Sequence, residues 1–335
     1  MRVLGRVLHG FGRLVIALAI LGLGLWAALA LWFRLTPTPP VQPIAAGAMV
    51  LVTLAAPVGL ILRRRRLMLP WAVATVLVLG WWSTLTPSND RDWTADVART
   101  AHGTVDGDVL VMHNVRNFTW RSDDDFDPHW ETRRYDLRTL TGVDLFMSYW
   151  AGEKIAHTIL SFGFADGQHL AFSIEIRKER HESYSALGGF FRNYELSIIA
   201  ADERDVVGVR TNVRGEDVRL YRLRMTPAAA RALLLEYVAQ ANALAETPEF
   251  YNTLTTNCTT QIFRMVRALD PGIPLDYRVL LAGLVPDYVY DLGSLDTRLP
   301  FATLRERSHI QGRARSDDPD FSRLIRVGVP DPRVP

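Results

Sequence analysis

Residues 156–177 read AHTILSFGFADGQHLAFSIEIR: two runs of β-branched, aromatic and aliphatic residues around Ala165-Asp166-Gly167-Gln168. This is the composition of an antiparallel hairpin, with pleat-filling side chains on both arms and an Asp-Gly pair where the backbone reverses. The length of the turn decides which residues face each other. A three-residue loop, Ala165-Asp166-Gly167, with glycine in the left-handed region, pairs Phe164 with Gln168. Counting outward, His157 then lies opposite Glu175. A two-residue Asp166-Gly167 turn opposes His157 to Ile176 instead and turns Glu175 to the other face. The first register is favoured because it gives His157 a carboxylate partner.

Outward from the hairpin, further strand candidates fall at 109–115, 144–150, 155–164, His169–Arg177, 194–200 and 218–225, each rich in β-branched and aromatic residues. Helices then take over. Thr226-Pro227 reads as an N-cap followed by proline at the first helical position, ahead of an Ala/Leu-rich run at 228–245. A second helix, Cys258–Leu269, is opened by Thr253, Thr255, Thr256 and Asn257. Strands first and helices later predict an α+β domain built on an antiparallel sheet. It is expected to span 88–312, with 313–335 as a loose tail.

The chain ahead of this domain has a different composition. Through Pro87 there is no acidic residue, and all eight basic residues are arginines: Arg2, Arg6, Arg13, Arg34, Arg63, Arg64, Arg65 and Arg66. Uncharged runs at 14–33, 44–62 and 67–85 are each long enough to cross a bilayer as a helix. The first is too long for a signal-peptide core, so three retained membrane helices are expected. Arginines ahead of the first run and between the second and third outnumber Arg34 in the proline-rich first link (Pro37, Pro39, Pro40, Pro43). That asymmetry places the amino terminus in the cytoplasm and the main domain on the outer side of the membrane. Trp81, Trp82 and Trp93 are expected at the outer membrane boundary.

The outer 248 residues carry 30 basic against 36 acidic residues, a balance of −6, although the whole chain is +2. A polyanion-binding surface needs the opposite sign, so nucleic acid is excluded as a partner. With one cysteine there is no internal disulfide, zinc ribbon or redox pair. Asp123, Asp124 and Asp125 with Asp127 and His129 read as an acidic turn without EF-hand spacing. No metal and no cofactor are expected.

Cys258 itself lies in the first turn of a helix, where the positive end of the macrodipole and free N–H groups stabilise a thiolate. The same N–H groups can hold the oxyanion that forms when sulfur attacks an acyl carbon, with Asn257 or Thr259 assisting. A cysteine nucleophile takes a histidine as base. Of His102, His113, His129, His157, His169, His181 and His309, only His157 opens a rigid apolar strand, and it is the preferred base. Glu175 is the candidate orienter of its ring.

The blocks Asn89-Asp90-Arg91-Asp92-Trp93, Asn114-Val115-Arg116-Asn117-Phe118, Ala156-His157-Thr158-Ile159-Leu160-Ser161-Phe162, Ser173-Ile174-Glu175-Ile176-Arg177-Lys178-Glu179 and Tyr251-Asn252 with Asn257-Cys258-Thr259-Thr260 resemble the bacterial family of the Lnb amino-terminal periplasmic domain. The resemblance runs from about Asn89 to His309. Lnb proteins are lipoprotein N-acyltransferases. The resemblance therefore implies transfer of a fatty acyl group from phospholipid, through a Cys258 thioester with His157 as base, to an amine such as a lipoprotein amino terminus. The order of His before Cys is also similar to circularly permuted papain-like folds, including lecithin:retinol acyltransferases. In Lnb the soluble domain precedes the membrane helices, whereas here the helices come first. A cell-wall cysteine peptidase or amidase would use the same pair. A non-catalytic membrane-anchored binding module would leave Cys258 buried and far from His157.

Overall fold

The computed structural model describes residues 2–35 and 40–333; Pro37 and Pro39 of the first link, the side chains of Arg2 and Arg6, and the last two residues of the tail lie outside the described residues. The chain forms two compact units, one of Met1–Pro87 with Ser185–Asn193, the other of Ser88–Tyr184 with Tyr194–Pro335.

The first unit contains α1 (Arg2–Arg34), α2 (Val41–Ile61) and α3 (Arg65–Thr84). Within them, Leu8–Arg34, Val41–Ile61 and Arg65–Thr84 are long and apolar enough to span a membrane, as the uncharged runs predict. α1 and α2 approach closely because Gly24 faces Thr53: a Cβ on Gly24 would meet the Thr53 side chain at 2.2 Å. Thr53 keeps its own hydroxyl satisfied by donating to the Met49 carbonyl (2.7 Å). The Ser185–Asn193 segment packs here by stacking Phe191 on Phe33 (5.5 Å) and laying Arg192 over Trp82 (4.8 Å).

The second unit is α+β. Its strands are β1 (His102–Asp106), β2 (Val109–Arg116), β3 (Thr119–Trp120), β4 (Phe126–Asp127), β5 (Trp130–Asp136), β6 (Leu140–Tyr149), β7 (Ala156–Phe164), β8 (His169–Arg177), β9 (Glu195–Ala201) and β10 (Asp217–Arg222). The helices are α4 (Glu203–Val206), α5 (Pro227–Glu246), α6 (Cys258–Leu269), α7 (Val285–Asp291), α8 (Phe301–Arg307) and α9 (Phe321–Leu324). The main sheet runs β1-β2-β9-β8-β7-β6-β10 with β5 beside β2, while β3 and β4 form a separate pair. It is mixed rather than wholly antiparallel: β2 meets β9 in parallel at Arg116↔Ala201. That contact joins strands far apart in sequence, which no local pattern announces.

Alternation along the strands builds two apolar layers. Leu145, Met147, Leu160, Phe162 and Phe172 face α5 and α6, where Tyr237 stacks on Phe172 (4.9 Å) and meets Phe162 edge-on (5.9 Å). α5 begins where its sequence says it should, with Thr226 accepting from the Ala229 N–H (3.2 Å) and Pro227 at the helix start. Burial of Leu233, Leu234 and Val238 on this face contributes about 1.5–3 kcal/mol each.

The opposite layer joins Phe146, Ile159, Ile199 and Leu220 to Val206 and Val207 of the α4 region. Phe321, Ile325 and Val329 complete it. The segment expected to be a loose tail is therefore packed. Its polar spacing hides three apolar anchors, and Arg326 is held by Glu203 (2.6 Å) and Asp144 (2.8 Å). Trp93 also departs from expectation. It is buried in this unit, with Arg177 4.4 Å above its ring and its Nε1–H donating to Asn89 O (2.9 Å). Boundary tryptophans need an open face, and Trp93 has none.

Candidate active site

The hairpin has the three-residue loop. Phe164 N–H donates to Gln168 O (2.9 Å), Gly167 N–H to Phe164 O (3.0 Å), and Gly167 takes φ +87°. The ladder reaches Ile159↔Ser173; extended two residues further, the same register sets Glu175 opposite His157. Ser173, two residues before Glu175, shares its face. The side chains meet accordingly. His157 Nε2 lies 2.6 Å from Ser173 Oγ and 3.2 Å from Glu175 Oε1, and the Ser173 hydroxyl donates to Glu175 (2.6 Å). Arg210, buried in the π-helical turn Val209–Val213, donates from Nη2 to the same Glu175 oxygen (3.0 Å).

Cys258 comes from the other side of the sheet. Asn257 caps α6 by accepting from Thr260 N–H (2.9 Å), while Thr260 Oγ1 accepts from Asn257 N–H (3.0 Å) in a reciprocal capping box. The Asn257 amide also donates to Thr253 O (2.8 Å), so this side chain is committed to the helix start. Thr259 is buried, 3.3 Å from Thr158 Oγ1 and 3.8 Å from Cys258 Sγ. These contacts dock the first turn of α6 on the beginning of β7, where the Cys258 sulfur and the His157 ring act on each other electrostatically.

The electrostatics follow from that placement. Burial pushes the Cys258 thiol up. The His157 imidazolium, its hydrogen bond, the Thr158 N–H and the Thr259 hydroxyl together outweigh burial and bring the thiol down from 9.0 to about 7. Burial also works against a charged His157, yet Glu175 and the thiolate overcome both burial and Arg210 and hold it up at about 9. Glu175 resists burial through His157, Arg210 and the Ser173 hydroxyl and stays well below the usual carboxylate range. Between pH 7 and 9 both members of the pair carry charge. A thiolate beside an imidazolium, at a helix start whose first N–H groups lack intrahelical acceptors, is equipped for attack on an acyl carbon.

The remaining histidines lie apart. His102 and His113 stack on each other, His169 sits at the hairpin turn, and His129, His181 and His309 pair with Glu131, Glu179 and Asp217. In the acidic turn, Asp125 and Asp127 bind Arg121 and Asp123 binds Arg214. Among the described residues no cluster of three or more His, Cys, Asp or Glu side chains is placed to hold a metal.

Ser173, Arg210 and Thr158 were not singled out from sequence. Ser173 was within reach, since the favoured register places it on the His157 face. Arg210 lies in an irregular turn with no pattern to expose it. Beside the site, Ser148, the β6 partner of His157, donates to Glu216. Glu216 also borders a cleft of about 530 Å³ walled by Tyr149, Trp150, Glu153, Arg214 and Arg219.

Comparison with known families matches residues 126–283 to the Lnb N-terminal periplasmic domain, a narrower span than the sequence blocks suggest. No curated protein and no solved structure matches the chain. The matched span includes His157, Ser173, Glu175, Arg210 and Cys258 and begins well after the apolar helices. Residues 126–283 thus match the family of the Lnb N-terminal periplasmic domain, in a chain that carries three helices able to cross a membrane ahead of them.

Proposed function

We propose that this protein is a membrane-anchored thiol acyltransferase that takes a fatty acyl group from a phospholipid onto Cys258 and passes it to an amine, with a lipoprotein amino terminus as the candidate acceptor. The reading is carried by the docking of the first turn of α6, with Cys258, onto the start of β7, with an imidazole at His157 that Ser173 and Glu175 hold from behind. In this scheme Cys258 Sγ attacks the ester carbonyl and the N–H groups at the start of α6 stabilise the oxyanion. Collapse breaks the C–O bond, and the departing alkoxide takes the proton from His157. An amine then attacks the thioester carbon, C–N forms as C–S breaks, and the amine's proton returns to the Cys–His pair. The anchor fits this chemistry, because moving an acyl chain through water costs about 0.8 kcal/mol per CH₂. The proposed setting is the bacterial inner membrane with the amino terminus in the cytoplasm, as the arginine distribution suggests.

The test is mass spectrometry of Cys258 after incubation of the full chain with phospholipid. A hydroxylamine-labile acyl adduct on Cys258, absent from Cys258→Ala, is expected. Undiminished acyl labelling of a folded Cys258→Ala chain would overturn the mechanism. The polar cleft bordered by Glu216, Arg214 and Arg219 supports a second reading, hydrolysis of a cell-wall amide by the same pair. Cleavage of peptidoglycan fragments without any acyl adduct would select it.

A further inference from the structure

Large apolar side chains scattered singly over a surface need no explanation, but a concentration at one place does. Here Leu275 is 76% exposed, Tyr277 68% and Leu280 55%. All three belong to the segment following α6, whose charges are turned on one another. Arg278 is gripped by Asp276 (2.8 Å) and Asp291 (2.6 Å) and lies over the Tyr288 ring (5.3 Å). Polar groups are thus satisfied within the segment while its apolar ones face outward, the reverse of an ordinary surface loop.

The segment lies beside the candidate active site. Gly283 N–H donates to Lys154 O (3.1 Å), and Tyr149 OH donates to Gly283 O (3.0 Å), fastening it to the β6–β7 connection. Only glycine permits this approach, since a Cβ at Gly283 would meet Glu153 O at 2.3 Å. That connection carries exposed Trp150 and Ile155 and leads directly into His157. On the other flank, exposed Leu254 sits in the turn that precedes Cys258, where Asn252 Oδ1 accepts its N–H (3.0 Å). The apolar residues therefore lie on stretches that adjoin α6 and β7, the elements carrying Cys258 and His157.

The chain itself supplies the occupant. α3 ends at Thr84 and the outer unit begins at Ser88. Three intervening residues reach only about 10 Å when extended. A domain so tethered never leaves the neighbourhood of the bilayer, and Lys154, exposed among the apolar residues, suits an anionic headgroup.

We propose that Leu275, Tyr277 and Leu280, with Trp150, Ile155 and Leu254, form a lipid-contacting rim that enters the surface of the membrane carrying α1–α3 and admits a lipid ester to Cys258. Only the last step, admission of the ester, rests on the acyl-transfer reading. Because Cys258 is the sole cysteine, the Cys258→Ala chain gives a clean background for labelling. An environment-sensitive nitrobenzoxadiazole fluorophore is placed through Leu280→Cys, with Ala165→Cys as control. Ala165 lies at the far end of β7, roughly 26 Å from His157 at strand rise. The full chains are set in nanodiscs of phosphatidylethanolamine and phosphatidylglycerol doped with doxyl-labelled phosphatidylcholine. The label at 280 is expected to shift to the blue and to be quenched several-fold more than the label at 165. Equal quenching at the two positions overturns the proposal. So does a label at 280 that is shielded from iodide yet untouched by doxyl lipid, which would mean a protein partner or a second copy.

A second measurement compares acyl capture from bilayer phospholipid with capture from a soluble short-chain ester. In Leu275→Glu/Leu280→Glu that ratio should fall at least tenfold; an unchanged ratio refutes admission of the ester through the rim. If the unsubstituted chain forms no thioester from either donor, the acyl-transfer reading fails, while the quenching experiment still decides lipid contact.

Discussion

Replacing His157 by alanine tests the electrostatics of the site, because Cys258 is the only thiol and its alkylation reports on nothing else. In the unsubstituted chain the thiolate should form with a midpoint at about pH 7. His157→Ala removes the imidazolium and its hydrogen bond but leaves burial, the Thr158 N–H and the Thr259 hydroxyl. The midpoint should return to the ordinary 9.0 or above. At pH 7 the thiolate fraction then falls from about one half to about 1%, roughly 50-fold. A more basic thiolate is intrinsically more nucleophilic, by about 6–10-fold for this change at a Brønsted coefficient of 0.4–0.5. The net loss of alkylation rate at pH 7 is therefore roughly 5–8-fold, and above about pH 8 the variant should overtake the unsubstituted chain. Iodoacetamide alkylation followed by mass spectrometry across pH 5–11 reads both the midpoint and the crossing. A midpoint near 9 in both chains would refute the ion pair and the reasoning built on it.

Glu175→Gln keeps the Ser173 contact but removes the charge that favours imidazolium, so His157 should titrate below about 9 and Cys258 above about 7. The pH window of thiolate–imidazolium should narrow from both sides, seen as a narrowed alkylation or activity profile. Arg326→Met strands the fully buried Glu203, at a cost of about 3–5 kcal/mol in denaturant unfolding near neutral pH. Glu203 is held far below its ordinary 4.5, so its contribution is present above that value and lost as pH falls through the folded one. The difference between the two chains should accordingly shrink in strong acid. Asn257→Ala removes both the acceptor for Thr260 N–H and the tie to Thr253, for a loss of about 1 kcal/mol by thermal unfolding. Tyr237→Phe should be neutral or stabilising, since the buried hydroxyl has no hydrogen-bond partner among the described residues; a loss of more than about 1 kcal/mol would contradict that account.

What could be read from sequence was local. The bounds of β8 and α6 follow directly from composition and capping signals, and the hairpin loop sets the His157–Glu175 relation by counting alone. β1 and β5 were missed because HGTVD and WETRRYD carry too few apolar residues to resemble strands; they are held by their pairing with β2. At the bulge in the β2–β5 pairing, Asn114 takes φ +57°, a backbone adjustment with no advance sign in the sequence. Arg210 and the packed carboxy-terminal segment share another cause of invisibility. Each is fixed by partners distant in sequence, and local periodicity says nothing about such partners.

That segment has a consequence for how the protein comes into being. Ser316 lies where a Cβ on Gly208 would touch it, at 2.8 Å, and Gln311 donates to Thr211 O (3.2 Å), so the strap following α8 braces the turn that presents Arg210 to Glu175. Synthesis runs from the amino terminus, and Cys258, His157 and Glu175 all emerge before their brace does. A chain still short of that stretch holds Cys258 without the packing that steadies Arg210, so the setting of the thiol is completed only when the closing stretch has been made and seated.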